Sequence, residues 1–69
     1  MNERQAIDFA TEHGIAVTTT RKTKQAATFK VGRFEVVRRT GQRGWLVVGE
    51  NRGRMLVGEA IEYCVRRSI

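Results

Sequence analysis

The chain has 69 residues, of which 41% are hydrophobic and 29% charged, with a net charge of +6 and a single cysteine. This length is typical of one small domain, residues 1–69, and the composition excludes a disordered tail. One cysteine and one histidine exclude an internal disulfide and a structural zinc site, and no apolar run is as long as a membrane-spanning helix of about 20 residues. We therefore expect a cytoplasmic protein with no metal, no cofactor and no membrane contact.

The N-terminal segment predicts a helix over residues 2–13. Asn2 and Gln5 have the spacing of a capping box, in which each side chain accepts a hydrogen bond from the backbone N–H of the other residue. Apolar residues then recur at helical spacing until Gly14, which can adopt the left-handed conformation that ends many helices. From Ile15 the hydrophobic period becomes two and a run of threonines follows, so a strand is expected there.

Residues 21–25 have no periodicity and are predicted to be a charged connection. The alternation of a strand then resumes, but its phase changes at Gly32. Phe29 and Val31 share one phase, and Phe34 has the opposite one. The change is compatible with a bulge in one long strand or with a tight reversal between two strands, and we favour the bulge.

The second half of the chain predicts a hairpin, a strand and a helix. Residues 40–44, TGQRG, contain glycines suited to a turn, and residues 45–49, WLVVG, form the next strand. Apolar residues at helical spacing predict an amphipathic helix over residues 55–67. The expected fold is therefore α+β, in the order helix, three-stranded antiparallel sheet, helix (αβββα), with four strands if Gly32 reverses the chain.

The apolar residues of the strands exceed what one buried face needs. The doublet Val36–Val37 and the run Leu46–Val48 place apolar side chains on both faces. Either the two helices flank opposite faces, or one face meets a second copy or a foreign protein. Trp45 could stack on a nucleobase, but its place before an apolar strand favours the rim of the core. Cys64, on the apolar stripe of the last helix, is expected in the core.

The positive charge is concentrated in the middle of the chain. Residues 21–54 hold ten basic and two acidic residues, a net charge of +8, and arginine outnumbers lysine ten to three in the whole chain. We expect a basic sheet and hairpin to present these side chains as one surface to a polyanion, because arginine suits phosphates and base edges. The candidate nucleic-acid-binding residues are Arg21, Lys22, Lys24, Lys30, Arg33, Arg38, Arg39, Arg43, Arg52 and Arg54.

These observations predict a non-enzymatic nucleic-acid-binding module with an accessory or regulatory role, acting on duplex DNA rather than RNA. No nucleophile, phosphate-loop, metal or dithiol motif occurs, so no catalytic residue is assigned. The alternative is a small protein–protein interaction or inhibitor module, of a phage or mobile-element type, that binds an acidic surface of a host protein. A homodimer is a third interpretation, since so small a core would gain from self-association.

The predicted element order is similar to that of the double-stranded RNA-binding domain. That family has a lysine-rich cluster at the start of its last helix, whereas this chain has Arg52 and Arg54 before MLVGEA and no lysine there. The second half, a strand, a hairpin, a strand and a helix containing EAIEYC, is similar in layout to the arm-binding domains of phage integrases, which insert a sheet into DNA. The chain is assigned to neither family.

Overall fold

The computed structural model describes residues 1–22, 26–39, 41–50 and 52–69, apart from the side chains of Arg21 and Lys22. Its elements in chain order are α1 (Glu3–Glu12), β1 (Val17–Lys22), β2 (Ala26–Val31), β3 (Phe34–Arg39), β4 (Leu46–Val47) and α2 (Val57–Ser68). Each strand pairs antiparallel with the next, giving one four-stranded sheet in the order β1-β2-β3-β4. The predicted α+β fold is confirmed, with four strands between the helices.

Gly32 reverses the chain between β2 and β3. Its φ is +59°, and Val31 pairs with Phe34 across a two-residue loop. Glycine at the first central position is typical of such a tight hairpin. The favoured bulge in one long strand is therefore wrong, and the alternative reversal is confirmed. The phase changes because residues opposite each other in an antiparallel pair share a face, so Val31 and Phe34 point to the same side.

β1 is longer than the sequence predicts. Arg21 and Lys22 belong to this strand, where their backbones pair with Thr28 and Ala27, and not to a charged connection. The pairing register shifts between Thr19 and Arg21, as at a β-bulge. Because a bulge interrupts the alternation of side chains, the end of the strand gave no periodic signal in the sequence.

The segment after the hairpin also differs from the prediction. β4 is only Leu46–Val47, shorter than the predicted 45–49. Trp45 instead forms a separate bridge with Met55, with N···O distances of 2.7 and 2.9 Å. The bridge keeps Met55 extended, so α2 begins at Val57, two residues later than predicted.

The ends of α1 follow the predicted capping pattern. The Asn2 side chain accepts a hydrogen bond from the backbone N–H of Gln5 (2.8 Å), and the Gln5 side chain accepts one from the backbone N–H of Asn2 (3.1 Å). Gly14 has a φ of +70° directly after the C-cap residue His13. The capping box and the glycine at the end of the helix are therefore confirmed.

Both helices pack on the same face of the sheet. Ile7 of α1 and Ile61 of α2 line one crevice with Val17 and Phe29 of the sheet. The buried core residues are Ala6, Ala10, Phe29, Val31, Val36, Val47, Ala60, Ile61, Cys64 and Val65. The helices therefore do not flank opposite faces. The other face of the sheet, which we name the outer face, is covered by no helix in the described part of the chain.

Cys64 lies in the core and Trp45 at its rim, as the sequence predicts. Cys64 is fully buried, and this burial raises the pKa of its thiol to about 11, so the group stays protonated at neutral pH. Trp45 is half-buried, and its ring meets the ring of Phe29 edge to face with the centroids 4.9 Å apart.

Candidate nucleic-acid interface

Alternation along β3 and β4 sends neighbouring side chains to opposite faces. Val36 is buried beneath the helices, so Arg38 lies on the helix side and Arg39 on the outer face. In β4, Val47 is buried in the core and Leu46 lies on the outer face. Consecutive arginines of the sequence therefore belong to different surfaces.

Arg39 shares a groove on the outer face with a second arginine. The groove has a volume of about 300 Å³, and we name its lining residues the outer groove: Val37, Arg39, Gln42, Leu46 and Arg54. Val37 and Leu46 pair across β3 and β4 and are half-buried. Arg39, Gln42 and Arg54 are exposed. The groove thus combines an apolar floor with two guanidinium groups and one amide.

The loop between β3 and β4 holds Gln42 and Arg43 beside this groove. Gly41 and Gly44 have φ of +86° and +81°, values that residues with a side chain rarely adopt. The backbone N–H of Gln42 donates a hydrogen bond to the carbonyl of Arg39 (3.1 Å). The chain therefore turns tightly enough to keep the loop close to the end of β3, with Arg43 exposed in it.

Gly44 also determines where Arg54 lies. A Cβ atom at residue 44 would be 3.0 Å from the Cβ of Arg54 and 3.1 Å from the carbonyl oxygen of Met55. Backbone hydrogen bonds between Trp45 and Met55 hold the two segments at this short distance. The absence of a side chain at residue 44 therefore lets Arg54 lie next to Leu46.

The acidic residues are concentrated away from the outer groove. Five of the seven lie on the helices: Glu3, Asp8, Glu12, Glu59 and Glu62. The outer face of the described sheet carries one acid, Glu35, opposite Lys30 in the register. Within the described residues, ion pairs involve only Glu50 and Glu62. Arg39 and Arg54 consequently have no carboxylate partner there within 4.0 Å.

Three other predicted site residues lie on aromatic rings elsewhere. The guanidinium of Arg38 is 5.3 Å from the ring centroid of Trp45 on the helix side. The turn between β2 and β3, at the far end of the sheet, carries Arg33, whose guanidinium is 5.4 Å from the ring of the adjacent residue 34. Arg52 lies 5.2 Å from the ring of Tyr63 on α2. The sequence led us to expect that the basic residues share one surface. The described ones do not all do so.

The remaining predicted site residues lie on β1, on β2 or outside the described residues. Lys30 lies on the outer face, but nearer the Gly32 turn than the groove. The strand pairing brings the backbones of Arg21 and Lys22 to the same end of the sheet as Arg39. The side chains of Arg21 and Lys22, and all of Lys24, lie outside the described residues.

Two acids on the helix side, Glu50 and Glu62, accept hydrogen bonds that favour their charged forms. The hydrogen bond from the Tyr63 hydroxyl (2.8 Å), together with the bond from Arg67 (3.1 Å), lowers the pKa of Glu50 below its ordinary value of 4.5. A hydrogen bond from Arg66 (2.8 Å) likewise lowers the pKa of Glu62. These carboxylates offset positive charge beside α2, whereas no described carboxylate lies within 4.0 Å of the groove arginines.

Sequence reasoning did not single out Gln42, although it lines the groove between two arginines. The signal was present, because Gln42 lies between the two glycines of the hairpin loop, where a polar side chain is presented outward. The apolar floor was visible only as an excess of valine and leucine on the strands.

Comparison with known protein families, with curated proteins and with solved structures finds no match to this chain. In the described ranges, no helix is long and apolar enough to cross a membrane. The same ranges contain no group of three or more His, Cys, Asp or Glu side chains that could hold a metal ion.

Proposed function

We propose that the protein binds duplex nucleic acid, DNA in preference to RNA, through the outer groove and the adjoining Arg43, without catalysing a reaction. The observation that carries this proposal is that exposed arginines without carboxylate partners lie on a sheet face that no helix covers. An arginine that is buried or paired with a carboxylate would have to give up that environment before it could bond a phosphate or a base.

The dimensions of the sheet favour DNA. The major groove of B-form DNA is about 12 Å wide and admits a two-stranded β-ribbon, and paired strands lie about 4.8 Å apart. β3, β4 and their loop form such a ribbon, with Arg39 and Gln42 near its tip. The major groove of A-form RNA is too narrow and deep for side chains to read its bases. A planar guanidinium can bond a phosphate or a guanine edge with two hydrogen bonds.

The proposal is tested by reversing the charge of one groove arginine at a time. We expect Arg39→Glu and Arg54→Glu each to weaken binding to a short DNA duplex by about tenfold or more, since each removes a contact and introduces repulsion. Arg4→Glu on α1 is the matched control, because it makes the same change in net charge on an exposed residue of the helix side. Fluorescence anisotropy with labelled duplex DNA and duplex RNA gives the affinities.

The control variant should bind DNA nearly as well as the unaltered protein. An equal loss in all three variants would mean that net charge alone attracts DNA, and would contradict a defined interface. Tighter binding to duplex RNA than to DNA would contradict the argument from groove width.

The apolar residues of the outer face favour a second candidate, a protein partner with an acidic surface. Val48, which follows β4 and donates its backbone N–H to the carbonyl of Glu35 (2.8 Å), is 51% exposed, and the half-buried Val37 and Leu46 lie between arginines. An interface core commonly combines apolar side chains with arginine. Retention of one defined protein after nuclease treatment, lost in Arg39→Glu, would favour this candidate over nucleic acid.

A further inference from the structure

A second pocket lies on the helix side of the sheet, behind the outer groove. It has a volume of about 270 Å³ and lies between β1, β2, β3, the residue before β4 and the first turns of both helices. We name it the helix-side pocket, and its principal lining residues are Glu3, Thr19, Ala27, Phe29, Arg38 and Trp45. The volume is just below the range of about 300–1,000 Å³ for drug-sized ligands, so a single ring system matches it.

The pocket offers planar surfaces to a ligand. The rings of Phe29 and Trp45 meet at 60°, with their centroids 4.9 Å apart. The guanidinium of Arg38 is 5.3 Å from the ring centroid of Trp45, and the indole is only half-buried. Flat aromatic and guanidinium groups are the surfaces on which proteins stack nucleobases.

The polar groups of the pocket have complementary hydrogen-bonding capacity. Arg38 can only donate, a charged Glu3 carboxylate can only accept, and the Thr19 hydroxyl can do both. Within the described residues, neither Arg38 nor Glu3 has an ion-pair partner within 4.0 Å. A ligand that carries both acceptors and donors on the rim of a flat ring would satisfy both residues at once.

We propose that the helix-side pocket binds one unpaired nucleobase, supplied by a free nucleotide or by a nucleic-acid strand. Where the base belongs to a strand, this inference deepens the proposed function, because the outer groove lies on the opposite face at the same end of the sheet. The pocket and the groove share no lining residue, so variants of one leave the other intact.

Guanine is the expected preferred base. Its O6 and N7 atoms accept hydrogen bonds from the two N–H groups of an arginine, and its N2 amino group can donate a hydrogen bond to a carboxylate. Adenine presents one acceptor and one donor on the edge that an arginine would meet, so it satisfies Arg38 less well. The same pocket should therefore rank deoxyguanosine monophosphate above deoxyadenosine monophosphate.

The single tryptophan of the chain is a direct probe of the pocket. Fluorescence of Trp45 is titrated with deoxyguanosine monophosphate, with deoxyadenosine monophosphate and, in a separate arm, with a single-stranded thymidine oligonucleotide containing one guanine. Deoxyribose 5-phosphate controls for binding of the phosphate alone. We expect saturable quenching by the guanine nucleotide with a Kd on the order of 0.1 mM or by the oligonucleotide at lower concentration, and none by the sugar phosphate.

Ala27→Leu fills the pocket and should weaken this binding at least about tenfold, because the added side chain occupies the space of the base. Ala16→Leu is the matched control, since it makes the same change at an exposed residue that does not line the pocket. Circular dichroism confirms that both variants are folded. The proposal would be overturned if the guanine nucleotide quenched Trp45 equally in Ala27→Leu and in the unaltered protein, or if the sugar phosphate quenched it as strongly as the nucleotide. It would also be overturned if neither the nucleotide nor the oligonucleotide caused quenching.

Arg38→Gln provides a second variant, which changes an exposed polar side chain and leaves Ala27 and Phe29 of the pocket unaltered. We expect it to weaken guanine binding about fivefold or more, because it removes the positive charge and the two-donor fork that would bond O6 and N7. Arg33→Gln is its control, because Arg33 also lies on an aromatic ring, 5.4 Å away, but at the far end of the sheet. Equal affinity for the guanine nucleotide in Arg38→Gln and Arg33→Gln would count against the pocket.

Arg39→Glu distinguishes the groove from the pocket. If this variant loses duplex binding but its Trp45 is still quenched by the guanine nucleotide, the two sites bind independently.

Discussion

Gly58 lies in the first turn of α2, against the N-terminal residues of the chain. It is buried, and a Cβ atom there would be 2.6 Å from the carbonyl carbon of Asn2 and 2.8 Å from its oxygen. Those atoms belong to the backbone at the N-cap of α1, which the capping box with Gln5 holds in place. A single residue therefore determines how closely the two helices can approach.

Gly58→Ala should destabilise the protein, contrary to the usual effect in helices. Alanine normally stabilises a helix by about 1 kcal/mol relative to glycine, but here its methyl group would displace backbone, and we expect a net loss of about 1–3 kcal/mol. Urea unfolding measures the free energy. Gly53→Ala is the control, because a Cβ atom there would meet none of the described atoms within 4 Å beyond its neighbours in the chain, and the stability of this variant should change little. A more stable Gly58→Ala variant would refute the close packing of the helices.

The segment between β4 and α2 is an irregular element that one carboxylate holds to α2. Glu50 accepts hydrogen bonds from Tyr63 (2.8 Å) and Arg67 (3.1 Å), both on α2. The segment leads to Arg54, so this attachment helps to define the outer groove. The pKa of Glu50 is lowered in the folded protein, chiefly by the Tyr63 bond. Its contribution to stability is therefore present above the ordinary pKa of 4.5 and is lost as the pH falls through the lowered value.

Glu50→Gln should make stability less dependent on pH in the acid range. The melting temperature of the unaltered protein should fall as the pH decreases below 4.5. The melting temperature of the variant should fall less, because its amide does not titrate. Thermal unfolding at neutral pH and at several lower pH values gives the slope of melting temperature against pH for each protein. Glu12→Gln on α1, which forms no ion pair within the described ranges, should retain the slope of the unaltered protein. Identical slopes for all three proteins would contradict the role given to Glu50.

At the scale of the whole molecule, the two sides of the sheet differ in charge. Five acids lie on the helices, whereas the unpaired arginines of the groove lie on the outer face. The molecule measures 32 × 22 × 21 Å, and at physiological salt interactions between exposed charges are screened over about 8 Å. The helices pack on the opposite face of the sheet, and none of their acids pairs with a groove arginine in the described residues, so the positive potential of the outer face is not neutralised by direct contact. A polyanion should be attracted to one side of the protein.

The affinity for duplex DNA should fall steeply with salt. If the outer face neutralises about four phosphates, log K should decrease with log salt at a slope of about −4, and Arg39→Ala should reduce the magnitude of that slope by about 1. Titrations at several sodium chloride concentrations give the slopes. Arg4→Ala should leave the slope unchanged, because Arg4 lies on α1, which packs on the opposite face of the sheet from the outer groove. An affinity independent of salt would exclude phosphate contacts as the source of binding.

Local features of the sequence were sufficient to predict most elements of the fold. The capping box of Asn2 and Gln5 and the turn glycines act over a few residues, so the sequence alone predicts them. The change of phase at Gly32 was visible, but a bulge and a reversal produce the same local pattern. Pairing of Val31 with Phe34, a contact between strands, distinguished them.

Composition and periodicity are properties of the chain, and they are sufficient to predict a small α+β protein with a basic central segment. Which basic residues meet depends on contacts between distant parts of the chain. Arg38 and Arg39 are neighbours in sequence, yet the pleat of β3 places them on opposite faces, and the packing of both helices on one face leaves Arg39 exposed beside Arg54. The surface on which a side chain lies depends on strand pairing and helix packing, and both involve residues that are distant in sequence.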